Sequence, residues 1–271
     1  MVEFANLNYF IAIIFTILLI IILYQTIKNK SDKTKNKVIL ILLFSNLLLH
    51  FSKILFEPYI SGLPHTLRKI TFENICAVTT LIYPFVYLTK NKYLNTYLFF
   101  ISLIGGLFAV CYPMEVIGKK MWSFDTLRFY FCHIVLLIVP ILLACLHLFK
   151  PRYKDFWVIP IGFIIISTLI FINEIILIKI GWVNSSYNDF FDRNIRNTSF
   201  VFGPLPAFDK LNWLFEIVTP KFLRYDYFNT NLDIVYFPVL WLVIPSFIFL
   251  PIVYAIILLP FNIKSIILRK E

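Results

Sequence analysis

None of the chain's 4 cysteines stands in CxxC spacing, and they form no extracellular disulfide pattern. No local His/Cys spacing marks a zinc site either. The N-terminus carries Glu3 and no basic region ahead of its first apolar run, so that run reads as a spanning helix and not as a cleaved signal peptide. There is no nucleotide-binding motif, no internal repeat and no long polar domain. Glycine is scarce, at 7 of 271 residues, while phenylalanine reaches 30. Together with frequent Ile, Lys and Asn, this bias is typical of AT-rich bacterial genomes.

Hydrophobic residues make up 60% of the chain, against roughly 45–50% in soluble domains. A soluble core cannot absorb that excess, so the fold class expected is an all-α polytopic membrane bundle. Apolar runs that span about 30 Å of hydrocarbon need roughly 17–25 residues. Seven such runs occur, at approximately 7–27, 38–56, 72–89, 94–113, 127–149, 157–180 and 236–260. The reading is one transmembrane domain over 1–271.

The formal charge of +10 would suggest nucleic acid in a soluble protein. Here loop position accounts for it. Lys28, Lys30, Lys33, Lys35 and Lys37 fill the first connection, and Lys90 and Lys92 mark the third. Lys150, Arg152 and Lys154 mark the fifth, and Lys264, Arg269 and Lys270 lie near the C-terminus. Only Asp32, Asp155 and Glu271 oppose them on that side, which therefore carries the whole +10 excess. The positive-inside rule puts the N-terminus outside and the C-terminus in the cytoplasm. The expected location is the plasma membrane, with membrane lipids as partners and no nucleic acid.

The longest outer stretch runs from about 181 to 235 and is broken by Pro204, Pro206 and Pro220. Within it, Leu211, Leu214, Phe215 and Val218 have helical spacing. Residues 208–218 read as a short interfacial helix anchored by Trp213. The alternative is an ordinary packed loop.

Ionisable side chains inside a membrane are costly and usually functional. Cys76 falls about one turn into the third run from its outer end, and His133 about two turns into the fifth, at ~1.5 Å per residue. His50 and Glu174 fall about two turns from the outer ends of their own runs. Glu73, Asn74 and Arg128 line the same rim, and Asn173 neighbours Glu174.

A thiol beside an imidazole is the minimal pair for acyl transfer, because the thiolate attacks and a base raises its population. His133 could take the Cys76 proton and return it to a leaving group. Glu174 or Glu73 could orient the imidazole, and Arg128 could meet a lipid phosphate. Each residue also has a plain structural reading. A lone Cys in an apolar helix is usually a small core residue, and a lone His usually bonds a neighbouring helix. His50, Cys76, His133 and Glu174 are also zinc-type ligands, which keeps a metal-dependent hydrolase as a third reading. A disulfide from Cys76 to Cys111 or Cys132 is a further alternative. The expected site needs no cofactor.

With Glu73-Asn74-Ile75-Cys76, Arg128-Phe129-Tyr130-Phe131-Cys132-His133 and Asn173 in view, the chain resembles the YwaF-like bacterial integral membrane proteins. These are similar to the eukaryotic transmembrane protein 164 family. The resemblance runs from about 65 to 260. Its anchors are the Cys at the outer start of the third span, an Arg–x4–His at the start of the fifth, and an Asn in the sixth. The YwaF pattern has a His where this chain has Asn74, so a second base or ligand is missing there. The eukaryotic relatives are described as phospholipid acyltransferases with an essential Cys and His. A more distant group, the androgen-induced lipid hydrolases, uses Thr and His. The resemblance implies Cys76 as nucleophile and His133 as its base.

The expected function is therefore a lipid acyltransferase or lipid-ester hydrolase working at the outer side of the bundle. The non-enzymatic alternative is a small-solute or lipid transporter, or a partner-binding membrane subunit.

Overall fold

The computed structural model describes residues 1–225 and 234–267. Arg269, Lys270 and Glu271, assigned above to the cytoplasmic side, lie outside the described residues. The chain divides into two compact units, one of residues 1–70 and 76–152, the other of residues 71–75 and 153–271.

The first unit holds α1 (Leu7–Ile27), α2 (Asp32–Ser52), α3 (Ile75–Thr89, from Cys76 on), α4 (Lys92–Cys111) and α5 (Phe124–Cys145). Four of these start on side-chain caps. Asn6 accepts from Tyr9 N, Ser31 from Thr34 N, Asn91 from Tyr93 N and Leu94 N, and Ser123 from Thr126 N. Capping explains why α2, α4 and α5 begin two to six residues before the apolar runs do.

The second unit holds α6 (Val158–Lys179), α7 (Asn212–Val218) and α8 (Val243–Ile267). It also carries a two-stranded antiparallel ribbon of β1 (Arg224–Tyr225) and β2 (Val235–Tyr236), with Arg224 opposite Tyr236. The segment expected at 208–218 forms a 3-10 turn, Pro206–Leu211, followed by α7. Trp213 and Ile217 share one face of α7 and are both exposed.

Among the described residues, α1, α2, α4, α5, α6 and α8 are long and apolar enough to cross a membrane. The molecule is thus an all-α polytopic membrane protein. The third of the seven expected spans differs. α3 has 15 residues, about 22 Å at ~1.5 Å each, short of the ~30 Å hydrocarbon core. It starts at Ile75 rather than at 72, and Ile75 N donates to Ser199 Oγ at 3.0 Å. The last span likewise starts at Val243 rather than 236. The ribbon claims Tyr236, and Val239 turns the chain at a φ of +63°.

α5 is the central helix of the first unit. It is buried almost continuously from Thr126 to Leu143, with α4 against one side and α1 and α2 against others. Gly106 brings α4 onto the α5 backbone. A Cβ there would fall 2.6 Å from Leu137 N and 2.8 Å from His133 O, so only glycine permits this approach. Outer faces of α1, with Ile14, Ile17 and Ile21 exposed, are apolar, as lipid contact requires.

One end of this unit carries a cavity of about 980 Å³ lined by Lys33, Lys37, Lys90, Lys92, Lys150 and Arg152. Those cations come from the first, third and fifth connections. Their convergence is what loops on a single face of a membrane should show.

Candidate functional site

Cys76 sits in the first turn of α3, where α4 approaches it. Three cross-helix pairs fix the α2–α3 register. Tyr87 donates to Asn36 Oδ1, Phe44 meets Phe85 edge-on at 5.9 Å, and Asn46 Nδ2 donates to Thr80 Oγ1 at 3.4 Å. These pairs run in opposite directions along the two helices. The same register, one turn further, sets His50 level with Cys76. On the α4 side, Gly105 lies beside the thiol, and a Cβ there would come 3.4 Å from Cys76 Sγ. Since Gly106 touches the His133 carbonyl, two consecutive glycines present α4 to Cys76 and to the His133 turn of α5.

His133 is buried, and its Nδ1 lies 2.8 Å from the Phe129 carbonyl oxygen. Phe129 also packs against the imidazole with ring centroids 4.3 Å apart. The backbone carbonyl thus holds the ring in the place reserved above for Glu174 or Glu73. His50 repeats the arrangement on α2. One ring nitrogen bonds the Ile70 backbone, and Nε2 is buried without a hydrogen-bond partner.

Charge reaches this region from residues that carry no pattern in the sequence. Glu115, in the α4–α5 connection, is close enough to act electrostatically on Cys76, Cys132 and His133. Lys53 and Arg128 act on His50, Cys132 and His133. Lys53 is buried at 5% exposure, which a lysine three residues before the end of an apolar run gives no sign of in the sequence.

Arg128 is buried and engaged. Its Nη2 donates to Asp125 Oδ1 and to the Tyr59 hydroxyl, each at 3.0 Å. Tyr59 in turn donates to Asp125, and Lys119 pairs with the other carboxylate oxygen at 2.5 Å. Burial pushes the Tyr59 phenol up from its ordinary value, with the Arg128 charge acting the other way. Tyr59, Lys119 and Asp125 are members of this cluster that the sequence did not single out.

The remaining expected residues belong to the second unit. Glu174, 1% exposed, forms a forked ion pair with Arg196, whose Nη2 reaches Oε1 at 2.9 Å and Oε2 at 2.8 Å while Nε reaches Oε2 at 3.2 Å. This supplies the outside partner that a buried glutamate requires, and it comes from the long outer stretch. Asn173 Nδ2 donates to Thr71 Oγ1 at 3.1 Å. Glu73 is buried, and Asn74 follows it directly.

All four cysteines are free thiols. Among the described residues, no three His, Cys, Asp or Glu side chains stand close enough together to hold a metal ion. The arrangement offers a thiol and two histidines at one level of the first unit, His133 anchored through Nδ1 and His50 with Nε2 unpaired.

Comparison with known proteins returns no match among characterised proteins and none among solved structures. The TMEM164 family matches over residues 2–256, nearly the whole chain, and the protein belongs to that family.

Proposed function

We propose that this protein is a lipid acyltransferase or lipid-ester hydrolase of the plasma membrane, from a YwaF-like bacterial branch of its family. Its substrate would be a phospholipid. Cys76 is the nucleophile and His133 the base. One observation carries the reading: Gly105 abuts the Cys76 thiol, while Gly106 abuts the turn of α5 that bears His133 with its Nδ1 tied to a carbonyl. A carbonyl only accepts, so Nδ1 keeps the proton and Nε2 keeps a lone pair for general-base work.

The steps balance as follows. His133 Nε2 takes the Cys76 proton, and the thiolate adds to an acyl ester carbonyl. The tetrahedral adduct collapses, the C–O bond breaks, and the leaving alkoxide takes the proton from His133. The acyl group is now a thioester on Cys76. Water or a second lipid hydroxyl then gives its proton to His133 and attacks that thioester. The C–S bond breaks, and the Cys76 thiolate recovers the proton. A site within two turns of the outer ends of the helices suits glycerol esters, which lie just below the headgroups.

The test is to incubate purified protein with a phospholipid bearing a labelled acyl chain and analyse peptides by mass spectrometry. The expected result is a hydroxylamine-sensitive acyl adduct on Cys76, absent from Cys76→Ser. Lipid turnover that survives Cys76→Ala would overturn Cys76 as the nucleophile and leave a hydrolase that does not use it, whereas no turnover and no adduct in the wild type would leave the non-enzymatic alternatives.

A further inference from the structure

α1, α2 and α5 line a second, half-open cavity, of about 510 Å³, within the ~300–1,000 Å³ range of ligand pockets. It lies on the stripe of α5 formed by Leu127, Phe131, Ile134, Val135 and Ile138. His133 does not line it. The walls are hydrocarbon, with Phe15 from α1 and Leu42 and Leu49 from α2.

Two lining residues are polar, Arg128 and Tyr130, and they are 8% and 4% exposed. Arg128 Nε and the Tyr130 hydroxyl are both buried without a hydrogen-bond partner. Native proteins rarely leave such groups unsatisfied, and each calls for an acceptor. Both residues sit at the outer end of the cavity, beside Trp122. The Arg128 charge is balanced by Asp125, and Lys119 adds a second cation to the cluster. An anionic head fits that end, and an apolar tail fits the rest.

Depth identifies the tail. From Arg128 to Ile138 is ten residues, about 15 Å at ~1.5 Å each. That is half of the ~30 Å hydrocarbon core, the depth of one leaflet. The opposing walls agree, running inward from Ile11 to Leu19 on α1 and from Leu49 to Leu42 on α2. We propose that the cavity between α1, α2 and α5 holds one outer-leaflet phospholipid, an acyl chain along α5 and its phosphate or ester oxygens on Arg128 and Tyr130. This lipid is a resident one, held on a face of α5 other than that of His133, and its binding does not depend on chemistry at Cys76.

The protein is reconstituted into phosphatidylcholine vesicles containing phosphatidylglycerol with a diazirine midway along one acyl chain. After irradiation, adducts are mapped by mass spectrometry on wild type and on Cys76→Ser. The expected adducts concentrate on the buried Ile134, Val135 and Ile138 in both proteins. Leu42→Trp with Leu49→Trp fills the cavity and abolishes those adducts, while labelling at the exposed Ile17 and Ile21 persists. Tyr130→Phe, which removes only an unpaired hydroxyl, reduces them. The same diazirine on a diacylglycerol, which lacks the phosphate, labels the cavity less. Adducts on wild type spread evenly over the exposed faces, Ile17 and Ile21 included, would mean annular lipid only and overturn the proposal. So would cavity labelling that both tryptophans leave unchanged.

Discussion

The Nδ1 of His133 lies 2.8 Å from the carbonyl oxygen of Phe129, one turn earlier on α5. That contact fixes the neutral tautomer, because the carbonyl can only accept. The working nitrogen is then Nε2. His133→Ala should slow acylation of Cys76 by about 10²–10⁴-fold, the usual contribution of a positioned base. The measurement is the rate of acyl-enzyme formation from a labelled phospholipid. His50→Ala is the comparison that decides the assignment, since His50 shares the level of Cys76 and keeps Nε2 unpaired. A larger loss in His50→Ala than in His133→Ala would transfer the role of base to His50.

The glycine pair separates packing from chemistry. Gly106→Ala would drive a Cβ to within 2.6 Å of Leu137 N and 2.8 Å of His133 O, both backbone atoms that cannot swing aside. α4 and α5 would have to separate, a cost of about 1–3 kcal/mol or more for an overpacked core. Thermal unfolding in detergent should show a clear drop in midpoint. Gly105→Ala places its Cβ 3.4 Å from Cys76 Sγ, an ordinary contact, and should leave the midpoint nearly unchanged. It should still change the labelling rate of Cys76 by a small-molecule thiol reagent. Equal midpoints for the two variants would contradict the close approach at Gly106.

Much of this was legible in the sequence because hydropathy and loop charge act over long, regular stretches. α1 was bounded to the residue, and the three basic loops meet at one cavity as the charge pattern required. The start of α3 was not legible. Ile75 N is bonded by Ser199, more than a hundred residues away, and nothing local announces it. How the polar residues face one another was not legible. Cys76, His50 and His133 share the first unit, whereas Glu174 and Asn173 belong to the second, where they are satisfied by Arg196 and Thr71. Arg196 went unnoticed because it lies in an irregular polar stretch at a φ of +46°, where no periodicity marks a residue's direction.

The Glu174–Arg196 pair should therefore behave as a structural clamp of the second unit. Arg196→Gln leaves an almost fully buried carboxylate without its forked partner. Breaking one side of a buried pair typically costs about 3–5 kcal/mol, and the one-fifth exposure of Arg196 argues for the lower end. The double variant Glu174→Gln with Arg196→Gln removes both charges and should recover part of the loss. Thermal midpoints of the two singles and the double form the cycle. Strict additivity of the two single losses would show that the residues do not interact.

Alkaline stability tests the cluster at Tyr59. The folded phenol has its pKa raised by burial, while the unfolded phenol titrates near ~10. The folded state therefore holds its proton more tightly than the unfolded state does. The stabilisation from this group is complete below pH ~10 and is lost as pH rises from there toward the folded pKa. Tyr59→Phe removes the titration while keeping the ring 5.6 Å from the Arg128 guanidinium. It also removes the hydrogen bonds to Asp125 and Arg128, so the variant should start less stable at neutral pH. Its unfolding free energy in chemical denaturation should then fall less steeply than that of wild type between pH 10 and 12, by up to about 1.4 kcal/mol per pH unit. Parallel curves for the two proteins across that range would show that the Tyr59 proton is not held by the fold.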